Sequence, residues 1–395
     1  MASIPIPRHY RTVIYIPSRS DGSMLEVCLS IPTNISSQPQ GYTGVIIAHP
    51  YGPLGGSYNN NIVGALLQWF ETYPLHVMGE DPSSNVPRSP SKKSNESGSN
   101  LRQQNPGDDG KDSSAADSSW VLLKSPKKNA SKDQAMPLSC VVCALNFRGC
   151  GKSKGRTSWF GEAEREDYQT IVDFLQSGSR LGGSHFERGD TPSVWSGKVY
   201  DETGQEIESP RIPSLSRFIL IVGVYMGYSY GGMIASTIPP PLRNPSDPTS
   251  EHLPTSYILI SYPAGVAWFL TSGSHGSFSK RARAILLSET DSSASPPDSH
   301  LEGESVKSKK KRPIKAFFIT GSQDQFTSPK TLVSWLKTNA GLNPPKQLPS
   351  SGSWALNHPD GIVHLDVVEG ADHFWLDREL LLLEKLQSWW TEAYQ

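Results

Sequence analysis

Short apolar segments alternate with longer amphipathic segments along most of the chain. Residues 12–16 and 24–31 have the pattern of a leading pair of antiparallel strands. The alternation of apolar strands with helices predicts an α/β fold, with a mostly parallel central sheet and helices on both faces. Further strands are expected over residues 45–48, 139–147, 257–261, 316–320 and 363–368 and from about residue 218, and helices over residues 61–72, 162–176 and 376–394 and from residue 231.

Four stretches interrupt this alternation and are predicted to be insertions into a single domain spanning residues 1–395. Residues 79–137 are rich in Ser, Asn, Lys, Asp and Pro with little apolar periodicity, so they are expected to be largely disordered. Residues 178–213 and 341–360 are dominated by small turn-forming residues and Pro, and are expected to be loops. Residues 271–312 end in a basic run and form the fourth insertion.

Composition and charge narrow the class of protein. The chain has 395 residues, of which 36% are hydrophobic, and its 34 Gly and 32 Pro indicate a folded core diluted by polar insertions. A formal net charge of −1 provides no overall attraction to nucleic acid or to an anionic membrane. We find no signal-peptide pattern and no apolar run of membrane-spanning length, so a cytoplasmic protein is predicted. The basic run at residues 307–312 matches a nuclear-import pattern, but a solvated linker is the preferred interpretation.

Four cysteines are too few for a secreted disulfide framework in a chain of this length. Cys140 and Cys143 have the spacing of a metal or redox motif, but a separation of three places them on opposite faces of a strand. They are expected to be buried small apolar residues. Neither a metal nor a cofactor is predicted.

The sequence around Ser229 has the pattern of a nucleophile elbow. Gly-Tyr-Ser-Tyr-Gly over residues 227–231 follows an apolar run and precedes a helix-like segment. A strand that turns directly into a helix leaves no room for side chains at the two glycines and exposes the serine. The amide of Tyr230 would lie at the positive end of the helix, suited to an oxyanion. The apolar run, residues 218–226, is longer than a short strand needs, which predicts early entry into the sheet or a bulge near residues 222–225.

A serine nucleophile requires a base and an acid that orients this base. Asp324 follows the strand predicted at residues 316–320, and His373 follows the strand predicted at residues 363–368. The chemistry of a parallel sheet sits beyond the carboxyl ends of its strands, where such loops meet. Asp372 is a weaker candidate for the acid because adjacent side chains on a turn rarely point at each other.

These motifs resemble those of the α/β-hydrolase superfamily. The Gly-Tyr-Ser-Tyr-Gly-Gly elbow, the Gly-Ser-Gln-Asp and Gly-Ala-Asp-His-Phe loops and Arg-Gly-Cys-Gly-Lys-Ser at residues 148–153 are all similar to its motifs, and the order Ser, Asp, His is the same. His-Pro-Tyr-Gly-Pro-Leu-Gly-Gly at residues 49–56 is similar to the corresponding loop of small cytosolic serine hydrolases. The resemblance covers the core but none of the insertions. It places a lid at residues 262–312, so residues 271–312 are either a lid region or disordered, and residues 262–270 either line an acyl pocket or pack at the edge of the core.

The resemblance implies roles for five residues. Ser229 attacks an acyl carbonyl, His373 takes and returns the proton, and Asp324 orients His373. The amides of Tyr230 and Tyr51 form the oxyanion hole, and the side chain of Tyr51 is expected to matter little because the backbone donates. The implied activity is hydrolysis of an ester or thioester of a small acyl substrate through an acyl-enzyme. Substrate identity and oligomeric state stay open.

Two alternative functions remain. The same triad serves an acyltransferase, and a non-catalytic protein can use this fold for binding or scaffolding. A nucleic-acid partner is disfavoured, because the lysine runs lie in linkers without interleaved aromatic residues. His49 and Arg148 are expected to order their own loops rather than to act on substrate.

Overall fold

The computed structural model of the protein describes residues 9–33, 42–52, 55–72, 75–77, 120–122, 136–138, 140–178, 198–213, 215–222, 230–245, 247, 250–287, 314–340, 351–358 and 361–394. Its strands are β1 (His9–Pro17), β2 (Met24–Pro32), β3 (Tyr42–Ala48), β4 (Leu75–Val77), β5 (Trp120–Leu122), β6 (Met136–Leu138), β7 (Cys140–Leu145), β8 (Val199–Tyr200), β9 (Glu206–Ile207), β10 (Leu215–Val222), β11 (Thr255–Ile260), β12 (Ile314–Gly321), β13 (Gly352–His358) and β14 (Gly361–Val368). Its helices are α1 (Asn61–Thr72), α2 (Glu162–Gly178), α3 (Tyr230–Ala235), α4 (Ala267–Leu270), α5 (His275–Leu286), α6 (Pro329–Ala340) and α7 (Glu379–Tyr394).

Twelve of the described strands form one mixed sheet, in the order β5-β13-β14-β12-β11-β10-β3-β7-β2-β1-β8-β9. The six central strands, from β14 to β7, are parallel. On either side the strands pair antiparallel, including the predicted leading pair β1–β2. The prediction of a mostly parallel sheet is therefore correct only for these central strands, because antiparallel pairing extends the sheet at both ends. The strands β4 and β6 pair with each other outside this sheet.

Helices cover both faces of the sheet. Helices α1 and α7 bury their apolar residues in a cluster on one face, and α2, α3, α5 and α6 bury theirs in a cluster on the other. Cys143 belongs to the second cluster and Cys140 to the first, as the strand periodicity predicts. Both cysteines are free and buried.

Several described elements fall within the predicted insertions. Strand β13 lies inside residues 341–360, which were predicted to be a loop; its Trp354 and Ala355 are buried, and Pro and Ser around them obscured this short apolar pattern. It pairs with β14 and with β5, which lies inside residues 79–137. Helix α5 occupies part of residues 271–312, and β8 and β9 occupy part of residues 178–213. The rest of residues 79–137, apart from β6, lies outside the described residues.

Strand β10 begins at Leu215, three residues before the apolar run, so the early entry into the sheet is confirmed. Its register shifts between Leu215 and Arg217. The bulge expected near residues 222–225 lies outside the described residues beyond Val222. At its carboxyl end, Val222 pairs with Ala48 of β3 and with Leu259 of β11. The loops that follow the parallel strands therefore leave the sheet at a common edge.

Candidate active site

The structure brings Asp324 and His373 together at this edge. Asp324 follows β12 and His373 follows β14, two strands that pair in parallel over eight residues ending at Gly321 and Val368. Oδ2 of Asp324 lies 2.8 Å from Nδ1 of His373, and both side chains are fully buried. A carboxylate in this position holds the imidazole with its proton on Nδ1, which directs Nε2 towards the role of base.

The second carboxylate oxygen of Asp324 is held by the backbone. Oδ1 accepts the N–H groups of Phe326 at 2.9 Å and of Thr327 at 2.8 Å. Asp372 instead accepts the N–H of Phe374 at 3.0 Å, so it organises the histidine loop from within. Asp324 is thus the carboxylate that forms the hydrogen bond with His373 in the structure.

The loop after β12, which carries Asp324, is joined by backbone hydrogen bonds to the loop after β14, which carries His373. The amide of Ser322 donates to the carbonyl of Val368 at 2.8 Å, and that of Gln323 to the carbonyl of Ala371 at 3.0 Å. A Cβ on Gly321 would overlap the Ala371 carbonyl, so only glycine permits this approach. The distance between Asp324 and His373 therefore depends on these backbone contacts between their two loops.

Two residues with strained backbones, Ser261 and Trp375, lie close to the loop that carries His373. Ser261, which follows β11, and Trp375 have φ angles of 45° and 55°, which are left-handed conformations. The indole N–H of Trp375 donates to Oγ of Ser261 at 3.1 Å, and both residues are fully buried. Strained backbone persists where surrounding packing maintains it, and it concentrates at functional sites. Neither residue was singled out from the sequence, because positive φ at serine or tryptophan has no sequence signature.

Ser229 lies outside the described residues, as does most of the predicted elbow. The described chain resumes at Tyr230, the first residue of α3. The Tyr230 ring contacts the ring of Tyr51 edge-on, with centroids 5.1 Å apart, and the ring of Phe147 at 6.2 Å. These contacts place the start of α3 beside the loops after β3 and β7, where the second oxyanion amide was predicted.

His49 orders the loop that carries Tyr51. Its Nδ1–H donates to the carbonyl of Pro50, and its Nε2 accepts the N–H of Phe147 at 2.9 Å. Both ring nitrogens are thus engaged in the neutral form, and burial lowers the pKa of His49 from 6.5 to about 4. The expectation that His49 is structural is confirmed.

Arg148 is also structural. Its guanidinium binds both carboxylate oxygens of Asp167, at 2.9 and 2.6 Å, and reaches Asp21 at 2.9 Å. Burial alone would lower its pKa, but the bonds to Asp167 outweigh burial and raise it. Through this contact Asp167, which lies in α2, ties the loop after β7 to that helix.

A buried carboxylate that the sequence did not reveal connects the same loops. Glu26, on β2, accepts hydrogen bonds from Tyr58 Oη at 2.9 Å, Asn146 Nδ2 at 2.7 Å and the amide of Lys152 at 2.7 Å. A Cβ on Gly151 would overlap Asn146, which explains that glycine of the Arg-Gly-Cys-Gly-Lys-Ser turn. An acidic residue in a strand gives no sequence signal of such a role.

A second buried carboxyl lies beneath α3. Glu164 accepts hydrogen bonds from the amide and the hydroxyl of Ser158, and burial raises its pKa. The Tyr230 hydroxyl is buried near it, and burial raises the pKa of Tyr230 as well. The ring of Tyr230 is thus packed within protein on several sides.

Among the described residues, no cluster of His, Cys, Asp and Glu has the arrangement of a metal site. Within the same residues no helix combines the length and apolarity needed to cross a membrane.

No protein-family model matches this chain, and no curated protein matches its sequence. Solved structures similar to it include an alpha-beta serine hydrolase homologue from Coxiella burnetii, with 15% identity, coverage of 98% of each chain and a TM-score of 0.41. Others are an α/β serine hydrolase from Xanthomonas campestris, with 14% identity, coverage of 97% of this chain and 95% of that one and a TM-score of 0.41, and an esterase from Pyrococcus furiosus, with 11% identity, coverage of 98% and 94% and a TM-score of 0.43.

The three similar structures are a serine hydrolase homologue, a serine hydrolase and an esterase, at 11–15% identity to this chain. At TM-scores below 0.5, however, these similarities do not carry an assignment of function. Any such assignment rests on the residues of this chain.

Proposed function

We propose that the protein is a serine hydrolase of the α/β-hydrolase fold, which cleaves an ester or thioester bond through an acyl-enzyme intermediate. The observation that carries this proposal is the buried hydrogen bond between Asp324 and His373 at the strand edge where α3 begins. A histidine oriented by a buried carboxylate is the arrangement that activates a serine nucleophile. Ser229, immediately before α3, is the serine that the sequence places there.

In the proposed mechanism, Oγ of Ser229 attacks the acyl carbonyl carbon while Nε2 of His373 accepts its proton. The resulting imidazolium is stabilised by Asp324, and it donates the proton to the leaving oxygen or sulfur as the bond to the acyl carbon breaks. Water then attacks the acyl-enzyme with His373 again as the base, which releases the acid and restores the Ser229 hydroxyl.

The oxyanion that forms in both steps would accept hydrogen bonds from the amides of Tyr230 and Tyr51. The ring contact between these two residues supports this pairing, because it keeps the two backbone segments adjacent. The loss of one such donor from a hydrolase costs on the order of 10²- to 10³-fold in kcat.

The test is covalent labelling of the purified protein with a fluorophosphonate, compared with Ser229→Ala. We expect labelling of the wild type, none of Ser229→Ala, and unchanged labelling of the control Ser277→Ala, an exposed serine on α5. Equal labelling of wild type and Ser229→Ala would show that Ser229 is not the nucleophile. A wild type that neither labels nor hydrolyses a series of acyl esters would support the binding or scaffolding function instead.

A further inference from the structure

Two Trp-Phe pairs are exposed at the candidate active-site edge, one on a loop and one in a short helix. Trp159 and Phe160 lie between β7 and α2 and expose 72% and 54% of their surface. Trp268 and Phe269 lie in α4, after β11, and expose 61% and 56%. This second pair belongs to residues 262–270, the segment predicted either to line an acyl pocket or to pack at the edge of the core. Adjacent exposed aromatic residues are uncommon on a protein surface unless something binds there.

The two pairs are joined through α5. Gly161 follows Phe160 directly and is packed against Phe278 of α5, whose ring lies 2.9 Å from the Cβ position of that glycine. Arg281 of α5 binds Glu162 and lies over the ring of Phe278 at 5.8 Å. These contacts hold the first turns of α5 against the loop that carries Trp159 and Phe160.

The second pair connects to α5 through a short turn. The amide of Gly273 donates to the carbonyl of Trp268 at 2.9 Å, and the amide of Ser274 to that of Thr271 at 2.8 Å. Helix α5 begins at the next residue, His275. Both aromatic pairs therefore flank the same helix start, at the same edge of the sheet.

The two segments that carry these aromatic residues have an excess of basic side chains, and their acidic partners, such as Asp21 and Glu202, come from other parts of the chain. Residues 147–161 and 262–287 contain no Asp or Glu. Glu162, the first acidic residue beyond the loop, is paired with Arg281. The two segments expose six basic side chains, those of Lys152, Lys154, Arg156, His275, Lys280 and Arg283. The net charge of −1 for the whole chain does not reveal this local excess of basic residues.

A groove of about 580 Å³ between α5 and α6 continues the basic surface. Its lining includes His275, Lys280 and Arg283, several hydroxyl side chains and no carboxylate. Trp, Phe and basic residues together are the combination found where proteins meet a membrane interface, since aromatic rings enter the boundary region while cations approach anionic headgroups.

We propose that this aromatic–basic face, formed by Trp159, Phe160, Trp268, Phe269, Lys154, Arg156, His275 and Lys280, docks the protein reversibly on a lipid surface that contains anionic phospholipid. Insertion of the four aromatic side chains supplies apolar burial, and the basic residues supply attraction that salt screens. The binding is peripheral and does not depend on the chemistry proposed for Ser229.

The test is co-sedimentation with phosphatidylcholine vesicles, with and without phosphatidylserine. We expect wild-type protein to bind the mixed vesicles, and both higher salt and removal of phosphatidylserine to weaken binding. Trp159→Ala/Trp268→Ala should reduce the partition coefficient by about tenfold or more. The matched control is Tyr10→Ala, since Tyr10 is 60% exposed but lies on β1, away from this face.

A second pair of variants tests the charge. Lys154→Glu/Lys280→Glu should abolish the preference for phosphatidylserine, whereas Lys198→Glu, before β8, should retain it. All four substituted positions in the tests, Trp159, Trp268, Lys154 and Lys280, are exposed, so circular dichroism melting curves should stay close to those of wild type.

Three results would overturn the proposal. One is failure of wild-type protein to bind mixed vesicles. Another is equal binding by the double tryptophan variant. The third is wild-type dimerisation that Trp159→Ala/Trp268→Ala removes while no vesicle binding occurs, which would assign this face to a second copy of the chain.

Discussion

Gly321 and Ala371 approach each other so closely that a Cβ on Gly321 would overlap the carbonyl of Ala371. The two residues lie on separate loops, one carrying Asp324 and the other His373. The absence of a side chain at position 321 in one loop therefore allows the close approach of the other loop.

Gly321→Ala should therefore separate these loops and lengthen the hydrogen bond between Asp324 and His373. Misplacement of catalytic groups by about 1 Å can cost on the order of 10²-fold in rate. We expect a loss of kcat of that order, measured with a soluble acyl ester, together with a lower melting temperature. Gly64→Ala is the comparison for stability, since nothing lies within 4 Å of the Cβ position of that glycine and its φ, like that of Gly321, is not in the left-handed region. Wild-type kcat in Gly321→Ala would show that the contact does not set the geometry.

Asp324→Asn should retain the fold while it removes the charge that stabilises the His373 imidazolium. The corresponding substitution in serine proteases lowers kcat about 10⁴-fold, and a loss of this order is expected here. Asp372→Asn is the matched control, because Asp372 bonds the Phe374 amide and not His373. Rates of ester hydrolysis and of fluorophosphonate labelling provide the measurement. If the two variants lose activity equally, the orienting acid has been assigned incorrectly.

The ring contact between Tyr51 and Tyr230 changes what is expected of the Tyr51 side chain. The sequence suggested that its identity matters little, yet its ring packs at 5.1 Å against that of Tyr230, whose amide is the other proposed oxyanion donor. Tyr51→Leu should lower kcat more than it raises KM, and Tyr51→Phe should restore kcat because the ring is retained. A double-mutant cycle with Tyr230→Leu measures the coupling. Additive effects in the cycle would contradict this role.

Arg148→Lys should destabilise the protein, because a lysine cannot bind both oxygens of Asp167. Breaking a buried ion pair costs about 3–5 kcal/mol, and a substantial part of that is expected here from urea unfolding. Lys198→Ala removes a solvent-exposed pair with Glu206, and its urea midpoint should stay close to that of wild type. Similar losses from the two variants would show that the Arg148 cluster is not a stabilising centre.

Stability should fall as the pH is lowered from 6.5 towards 4, in part because of His49. Its folded pKa is about 4, below the value of 6.5 assigned to the exposed group, so its contribution is fully present above pH 6.5 and is lost as the pH falls through this window. The full effect is of the order of 3 kcal/mol. Burial also lowers the pKa of His364 to about 4, so His364 contributes in the same window.

The measurement is urea unfolding across this pH range. His49→Asn should flatten the dependence, and His49→Asn/His364→Asn should flatten it further. A slope unchanged from wild type in the double variant would assign the acid sensitivity to carboxylates instead.

Several elements and residues could be predicted from the sequence because they depend on the pattern of neighbouring residues. Apolar periodicity was enough to locate β1, β2 and α1, and the alternation of strands and helices indicated an α/β fold. Asp324 and His373 could be named in advance, because each follows an apolar strand and parallel strands end at one edge. Strand β13 was missed because three apolar residues among Ser and Pro do not form a detectable period.

Only the tertiary structure decided which neighbours each residue meets. Asp324 rather than Asp372 faces His373, Glu26 collects three donors from distant loops, and Trp375 bonds Ser261 in a strained backbone. These outcomes depend on contacts between segments far apart in sequence, which no local pattern encodes. For the same reason, the composition of the chain does not predict which side chains lie together on its surface. A net charge of −1 is a property of the sequence, but the grouping of Trp159 and Trp268 with basic side chains arises only where two loops meet on one helix.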